Sequence, residues 1–120
     1  MHVAFSNLNF LCQGKFCLES IKNEVERTHV INTIIDSGKE IIEISFEQMN
    51  RFAGNMLEVK NAQGHALLVM SEQAYKALND IQITSLSKYA KIIYAPIYTI
   101  EQNGGGSARC MLAEVHLPIK

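Results

Sequence analysis

The sequence predicts an α/β (α+β) chain made of two copies of one unit. Three observations predict it: β-branched stretches alternate with helix-period segments, serines stand at capping positions between them, and the second half repeats the first at a nearly constant offset. In the first half, Lys15 to Ser20 reads as a short strand. Ser20 reads as the cap of a helix whose apolar positions Ile21, Val25, Ile31, Ile34 and Ile35 share one face. Ser37-Gly38 closes it, with glycine where a left-handed residue is wanted. A strand from Glu40 to Ile44 follows. Ser45 and Gln48 then have capping-box spacing and start a helical turn through Arg51 and Phe52. Gly54 breaks that turn, and Asn55 to Val59 reads as the next strand.

The second half is parallel to this. His65 to Met70 reads as a strand, Ser71 as a helix cap, and Ala74, Tyr75 and Leu78 as a buried helix face. A second short helix is expected over Ile83 to Tyr89, then a strand from Ile92 to Ile97, a loop, and a last strand from Cys110 to Val115. Leu18 matches Val69, Ser20 matches Ser71 and Ile41 matches Ile92, each at an offset of 51; Asn55-Met56-Leu57 matches Cys110-Met111-Leu112 at an offset of 55. The units are 15–61 and 62–120, the second ending in the strand with Cys110, and 1–14 reads as an irregular remnant of a preceding unit. A unit that buries its face only against neighbours needs about three copies for stability. Two copies and a stub therefore leave either oligomerisation through open edges or, as expected here, 120 residues that are the end of a longer protein.

Composition narrows the function classes. A net charge of −1, with 11 basic and 12 acidic residues, does not attract nucleic acid or an anionic membrane surface. Apolar runs stay far below the roughly 18–20 residues of a spanning helix, and no secretory signal follows Met1. Three cysteines without a C-x-x-C pair suit a reducing compartment, so a cytoplasmic, soluble protein is expected. The histidines and cysteines lack zinc-site spacing, and no metal or cofactor is expected.

The chemically suggestive stretch is Glu101-Gln102-Asn103-Gly104-Gly105-Gly106-Ser107-Ala108-Arg109-Cys110-Met111. Glycines cost backbone entropy but let the chain approach a ligand closely, which makes Gly105 and Gly106 candidates for substrate binding. Cys110 follows where that ligand would lie, and a thiol there becomes a nucleophile when positive charge or N–H dipoles favour the thiolate. Arg109 is adjacent, although neighbours on a strand face opposite ways. A flexible loop and a small buried thiol remain the plainer readings. The run is neither a P-loop nor a nucleophile elbow.

Asn103-Gly-Gly-Gly-Ser-Ala-Arg-Cys110-Met-Leu-Ala-Glu-Val, with Phe52-Ala-Gly-Asn55-Met-Leu-Glu-Val-Lys, resembles the C-terminal part of the amidinotransferase, or guanidino-group-modifying (pentein), superfamily, closest to its citrulline-hydrolase type. The resemblance covers about Leu18 to Pro118. It implies a β/α propeller of strand–strand–helix–strand blades, of which the two units would be two. It also implies attack by a cysteine on a guanidino or ureido carbon, a histidine as general acid and base, and carboxylates gripping the substrate nitrogens. Cys110 stands at the nucleophile's position. Asn55, its counterpart one blade earlier, would line the same pocket, with Gly105, Gly106 and Arg109 beside it. The chain departs from the pattern at the histidine: His2-Val3-Ala4-Phe5 lacks the His-Thr-Asn-type motif, which places the base and the acidic ligands upstream.

His29 and His65 read as surface residues, His116 lies about 20 Å of extended chain beyond Cys110, and Cys12 and Cys17 read as core or edge thiols. Glu43, Glu58 and Glu114 are strand residues whose facing the sequence does not fix. The resulting expectation is part of an amidinohydrolase acting on citrulline or an arginine derivative, inactive alone. The alternative is a non-catalytic interaction domain that associates through open strand edges.

Overall fold

The computed structural model describes the backbone of His2–Ser6 and Lys15–Phe16, and residues 21–113 with their side chains. Its order is β1 (His2–Ser6), β2 (Lys15–Phe16), α1 (Glu24–Asp36), β3 (Lys39–Glu43), α2 (Phe46–Asn50), β4 (Leu57–Lys60), β5 (Ala66–Ser71), α3 (Glu72–Ala77), α4 (Asp80–Ser87), β6 (Lys91–Ala95) and α5 (Tyr98–Gly104), closed by a 3-10 turn at Ala108–Met111. This is the mixed α/β class that the sequence predicts.

Two three-stranded sheets carry the fold. In the first, β1 is central and pairs antiparallel with both β2 and β3. The stretch expected as an irregular remnant thus contains a strand. In the second, β5 is central, antiparallel to β4 and parallel to β6. The parallel step is bridged by α3 and α4, as a parallel crossover requires. Strand β4 bonds to β5, so the chain changes sheets between Glu43 and Leu57.

The caps explain where helices start. Ser71 Oγ accepts from the Ala74 N–H at 3.1 Å, and Ser45 and Gln48 form the expected reciprocal box. Two expectations for α1 need correction. Its cap is Asn23, whose side chain accepts from the Val25 and Glu26 N–H groups, and the helix starts at Glu24; Ser20 lies outside the described residues. Its apolar stripe is also mostly uncovered: Ile34 is buried, but Val25 is 78% and Ile35 54% exposed. Among the described residues, helix α1 packs mainly on β3.

The break after α2 also differs from expectation. Phe52, not Gly54, takes the left-handed conformation, at φ 63°. The Ala53 N–H reaches Gln48 C=O at 3.0 Å and the Phe52 N–H reaches Met49 C=O at 2.9 Å, which together make a Schellman ending. A non-glycine residue there costs about 1 kcal/mol, and Phe52 offsets it by packing on the core.

One core joins the halves. Ile42, Ile44 and Met56 from the first meet Leu68, Met70 and Leu86 from the second, each contributing about 1.5–3 kcal/mol by leaving water. Beside it, the two capping-box glutamines pair with each other. Gln48 Nε2 donates to Gln82 Oε1 at 2.8 Å, and Gln82 Nε2 donates back to Gln48 Oε1 at 3.1 Å. Their remaining donors reach Ala77 C=O and Glu43 C=O. Tyr89 adds a hydroxyl bond to Glu40 on β3.

Glu58 strains this sheet. It sits opposite the buried Leu68, and its Oε2 is sealed from solvent with no hydrogen-bond partner among the described residues. Burial pushes its carboxyl up to about 7, against a smaller opposing pull from Lys60. The folded chain therefore holds this proton more tightly than the unfolded chain. Stability should be highest below the usual carboxylate range and fall as pH rises from about 4.5 to about 7. Glu58→Gln should flatten that slope and raise stability at pH 8 by about 1–2 kcal/mol, since partial exposure reduces the effect of the full shift. Urea titrations at pH 5 and pH 8 check it.

Candidate active site

The candidate site lies between the start of β4 and the turn after α5. After the Schellman ending, the Asn55 N–H bonds Phe52 C=O at 2.8 Å, which places Asn55 just ahead of β4. From the other side comes the glycine stretch. The sequence reads it as a loop, but Tyr98–Gly104 is helical. Tyr98 donates to Glu72 Oε2 at 2.6 Å, and Lys76 lies 3.3 Å from the same oxygen, which pins α5 to α3. This hydroxyl bond, with Lys76, holds Glu72 below its usual range. Gly105 ends the helix at φ 66°, a value open to glycine at little cost.

The last predicted strand is corrected here. Cys110 does not open a strand: the Cys110 N–H bonds Ser107 C=O at 3.0 Å in a 3-10 turn that packs against β5. A ladder cannot start at Arg109 because its N–H is already taken by Asn55 Oδ1 at 2.9 Å. Residues beyond Ala113, with Glu114 and His116, lie outside the described set.

That bond also orients the amide. With Oδ1 turned to Arg109, Asn55 Nδ2 faces the sulfur and donates to Cys110 Sγ at 3.1 Å. Two residues fifty-five positions apart, equated by the repeat, thus meet side chain to side chain. Cys110 is exposed, not sealed in aliphatic packing. An N–H donor beside sulfur favours the thiolate over the thiol. The arrangement presents a solvent-facing sulfur, positioned by an amide, at the end of a glycine turn.

A family model described as N,N dimethylarginine dimethylhydrolase, eukaryotic, matches residues 13–117. The chain belongs to this family. No curated protein and no solved structure matches the chain. The family is a guanidino-modifying one of the pentein superfamily, in agreement with the resemblance read from the glycine–cysteine segment, and it supports a guanidino-group hydrolase of the pentein type.

Within this dimethylhydrolase-family chain, the other sequence candidates take different places. Gly106 stands directly against the nucleophile candidate: a Cβ built on it would lie 2.9 Å from Cys110 Cβ and 3.1 Å from Sγ. Gly106→Ala should displace Cys110 by a few tenths of an ångström or more and lower kcat/KM for guanidino-group hydrolysis about 10²-fold, as steady-state rates would show. Gly105 supplies the reversal of the chain. Arg109 engages Asn55 through its main chain. His65 closes the β4–β5 turn, where its N–H bonds Asn61 Oδ1 at 2.8 Å, at the opposite end of β4 from Asn55. His29 is exposed on α1, which packs on the other sheet. The side chains of His2, Cys12 and Cys17 lie outside the described residues. Sequence reasoning missed Glu101 and Ser107, two buried groups hydrogen-bonded at 2.5 Å. A buried carboxylate on a helix next to three glycines left no periodic signal.

Among the described residues, no cluster of His, Cys, Asp and Glu could hold a metal ion, and no helix is long and apolar enough to cross a membrane.

Proposed function

We propose that Cys110 is the nucleophile of a hydrolase acting on the guanidino or ureido group of an N-methylated arginine or of citrulline. The observation that carries this reading is the exposed Sγ held by Asn55 Nδ2 at 3.1 Å within a family of guanidino-group hydrolases. The thiolate attacks the guanidino or ureido carbon and a C–S bond forms. The C–N bond then breaks, and the departing nitrogen takes up a proton and leaves as an amine or ammonia. Water attacks the same carbon, the C–S bond breaks, and the thiolate returns. Asn55 keeps the sulfur in place, Gly105 and Gly106 let a planar substrate approach, and Arg109 lines the pocket.

The units 15–61 and 62–120 are two blades of a larger propeller, and the isolated chain turns over little substrate. Neither His65, at the far end of β4, nor His29, on the other sheet, stands where a proton could pass to the leaving nitrogen. The test offers N,N-dimethylarginine and citrulline to the 120-residue chain and to the longer protein, and follows dimethylamine and ammonia. Release by the longer protein only is the expected result. Release from neither substrate by the longer protein would overturn the reading in favour of a scaffold that associates through the outer strands β2, β3, β4 and β6.

A further inference from the structure

We propose that Glu101 is a positioning residue for Cys110, an inference that rests on the reading of Cys110 as nucleophile. Glu101 sits on α5 with 5% of its surface exposed, and Ser107 is wholly buried. Ser107 Oγ donates to Glu101 Oε1 at 2.5 Å. The bond spans the three glycines and closes them into a fixed turn. Without it, three residues with no side chain to anchor them would sample many conformations.

What the turn fixes is the sulfur's surroundings. Ser107 C=O accepts the Cys110 N–H at 3.0 Å, and Gly106 is packed on Cys110 Cβ and Sγ. The Arg109 N–H, between them in the chain, holds Asn55 so that its amide faces the sulfur. Holding Ser107 therefore holds the Asn55–Cys110 contact. A second observation separates Glu101 from an ordinary packing residue. Its Oε2 is sealed from solvent and has no hydrogen-bond partner among the described residues. A buried carboxyl left half satisfied costs stability, and an apolar residue at this helix position would avoid that cost. Placement of the turn is what the carboxyl provides in exchange.

The experiment measures iodoacetamide alkylation of Cys110 from about pH 6 to pH 10 in the 120-residue chain. Peptide mass spectrometry separates it from Cys12 and Cys17. Glu101→Ala and Ser107→Ala should each raise the midpoint of the Cys110 profile by about half a unit to one unit, because the amide donor is lost from the sulfur. The Cys12 and Cys17 profiles should stay where they are. Glu101→Gln keeps an acceptor for Ser107 and should leave the midpoint in place. Glu101→Ala should add nothing to Asn55→Ala, since both remove one contact. An unmoved midpoint in the folded alanine variants overturns the proposal, as does a shift in Glu101→Gln equal to that in Glu101→Ala. If Glu101→Ala does not fold, Ser107→Ala, which deletes one oxygen, decides alone. The readout needs no turnover, so failure of the nucleophile assignment would appear separately, in the activity of Cys110→Ala.

Discussion

If Cys110 is the nucleophile proposed above, Cys110→Ala is expected to lower kcat/KM for hydrolysis by at least about three orders of magnitude while leaving the fold unchanged. Both halves follow from position. The side chain is exposed on a 3-10 turn and contributes little to the core, so removing sulfur creates no cavity. The sulfur is also the group proposed to form the covalent intermediate, and losing a nucleophile removes the whole route, not a fraction of it. Binding should survive, because Asn55 and the glycine turn remain. The measurement pairs steady-state rates with substrate affinity by calorimetry. Retained turnover would remove Cys110 from the chemistry. Unchanged rates with lost affinity would make it a binding residue.

The second large effect is expected at Gln82, far from the sulfur. Gln82→Leu should destabilise the chain by about 2–4 kcal/mol. The side chain is 8% exposed, and both ends of its amide are engaged. Oε1 accepts from Gln48 Nε2 at 2.8 Å and from the Asn79 N–H at 2.9 Å; Nε2 donates to Glu43 C=O at 2.6 Å and to Gln48 Oε1 at 3.1 Å. Leucine fills similar space but removes the bonds to the Gln48 amide and to the Glu43 carbonyl where water is scarce. Half of the α4 capping box goes with them, worth about 1 kcal/mol. Replacing both glutamines by leucine should cost less than the sum of the single changes, because the second removes the partner that the first left unmatched. Urea denaturation of the two singles and the double closes the cycle.

The two sites differ in how far they could be read from the amino-acid order. Ser45, Gln48, Ser71 and Gly38 announced their helix ends because caps are local: a side chain reaches a backbone N–H three residues away. Ser20 is as good a local cap as Asn23 three residues later, and only the packed helix chooses between them. The pairing of Asn55 with Cys110 was legible through the repeat, which equated the two positions before any distance was known. The conformation at Cys110 was not. Its run of Met-Leu-Ala-Glu-Val has strand character, and the Asn55 side chain that occupies the Arg109 N–H comes from far along the chain. Phe52 was hidden for a similar reason. Propensity favours a glycine for a left-handed residue, and core packing of an aromatic ring overrode it. The Gln48–Gln82 link could not be foreseen, because Gln48 reads as a cap of its own helix and nothing local marks Gln82, thirty-four residues on, as its partner.

The order of the strands carries a consequence for how the chain reaches its native state. All three strands of the second sheet come from one stretch, 57–95, with a hairpin first and the crossover afterwards. Such neighbouring contacts form quickly, whereas bringing residues 55 and 110 together closes a much longer segment. The thiol and its amide should therefore meet late, after the scaffold has assembled. In a refolding time course, circular dichroism should recover before reactivity at the sulfur does, and a nascent chain would stay chemically silent until its last turn was in place.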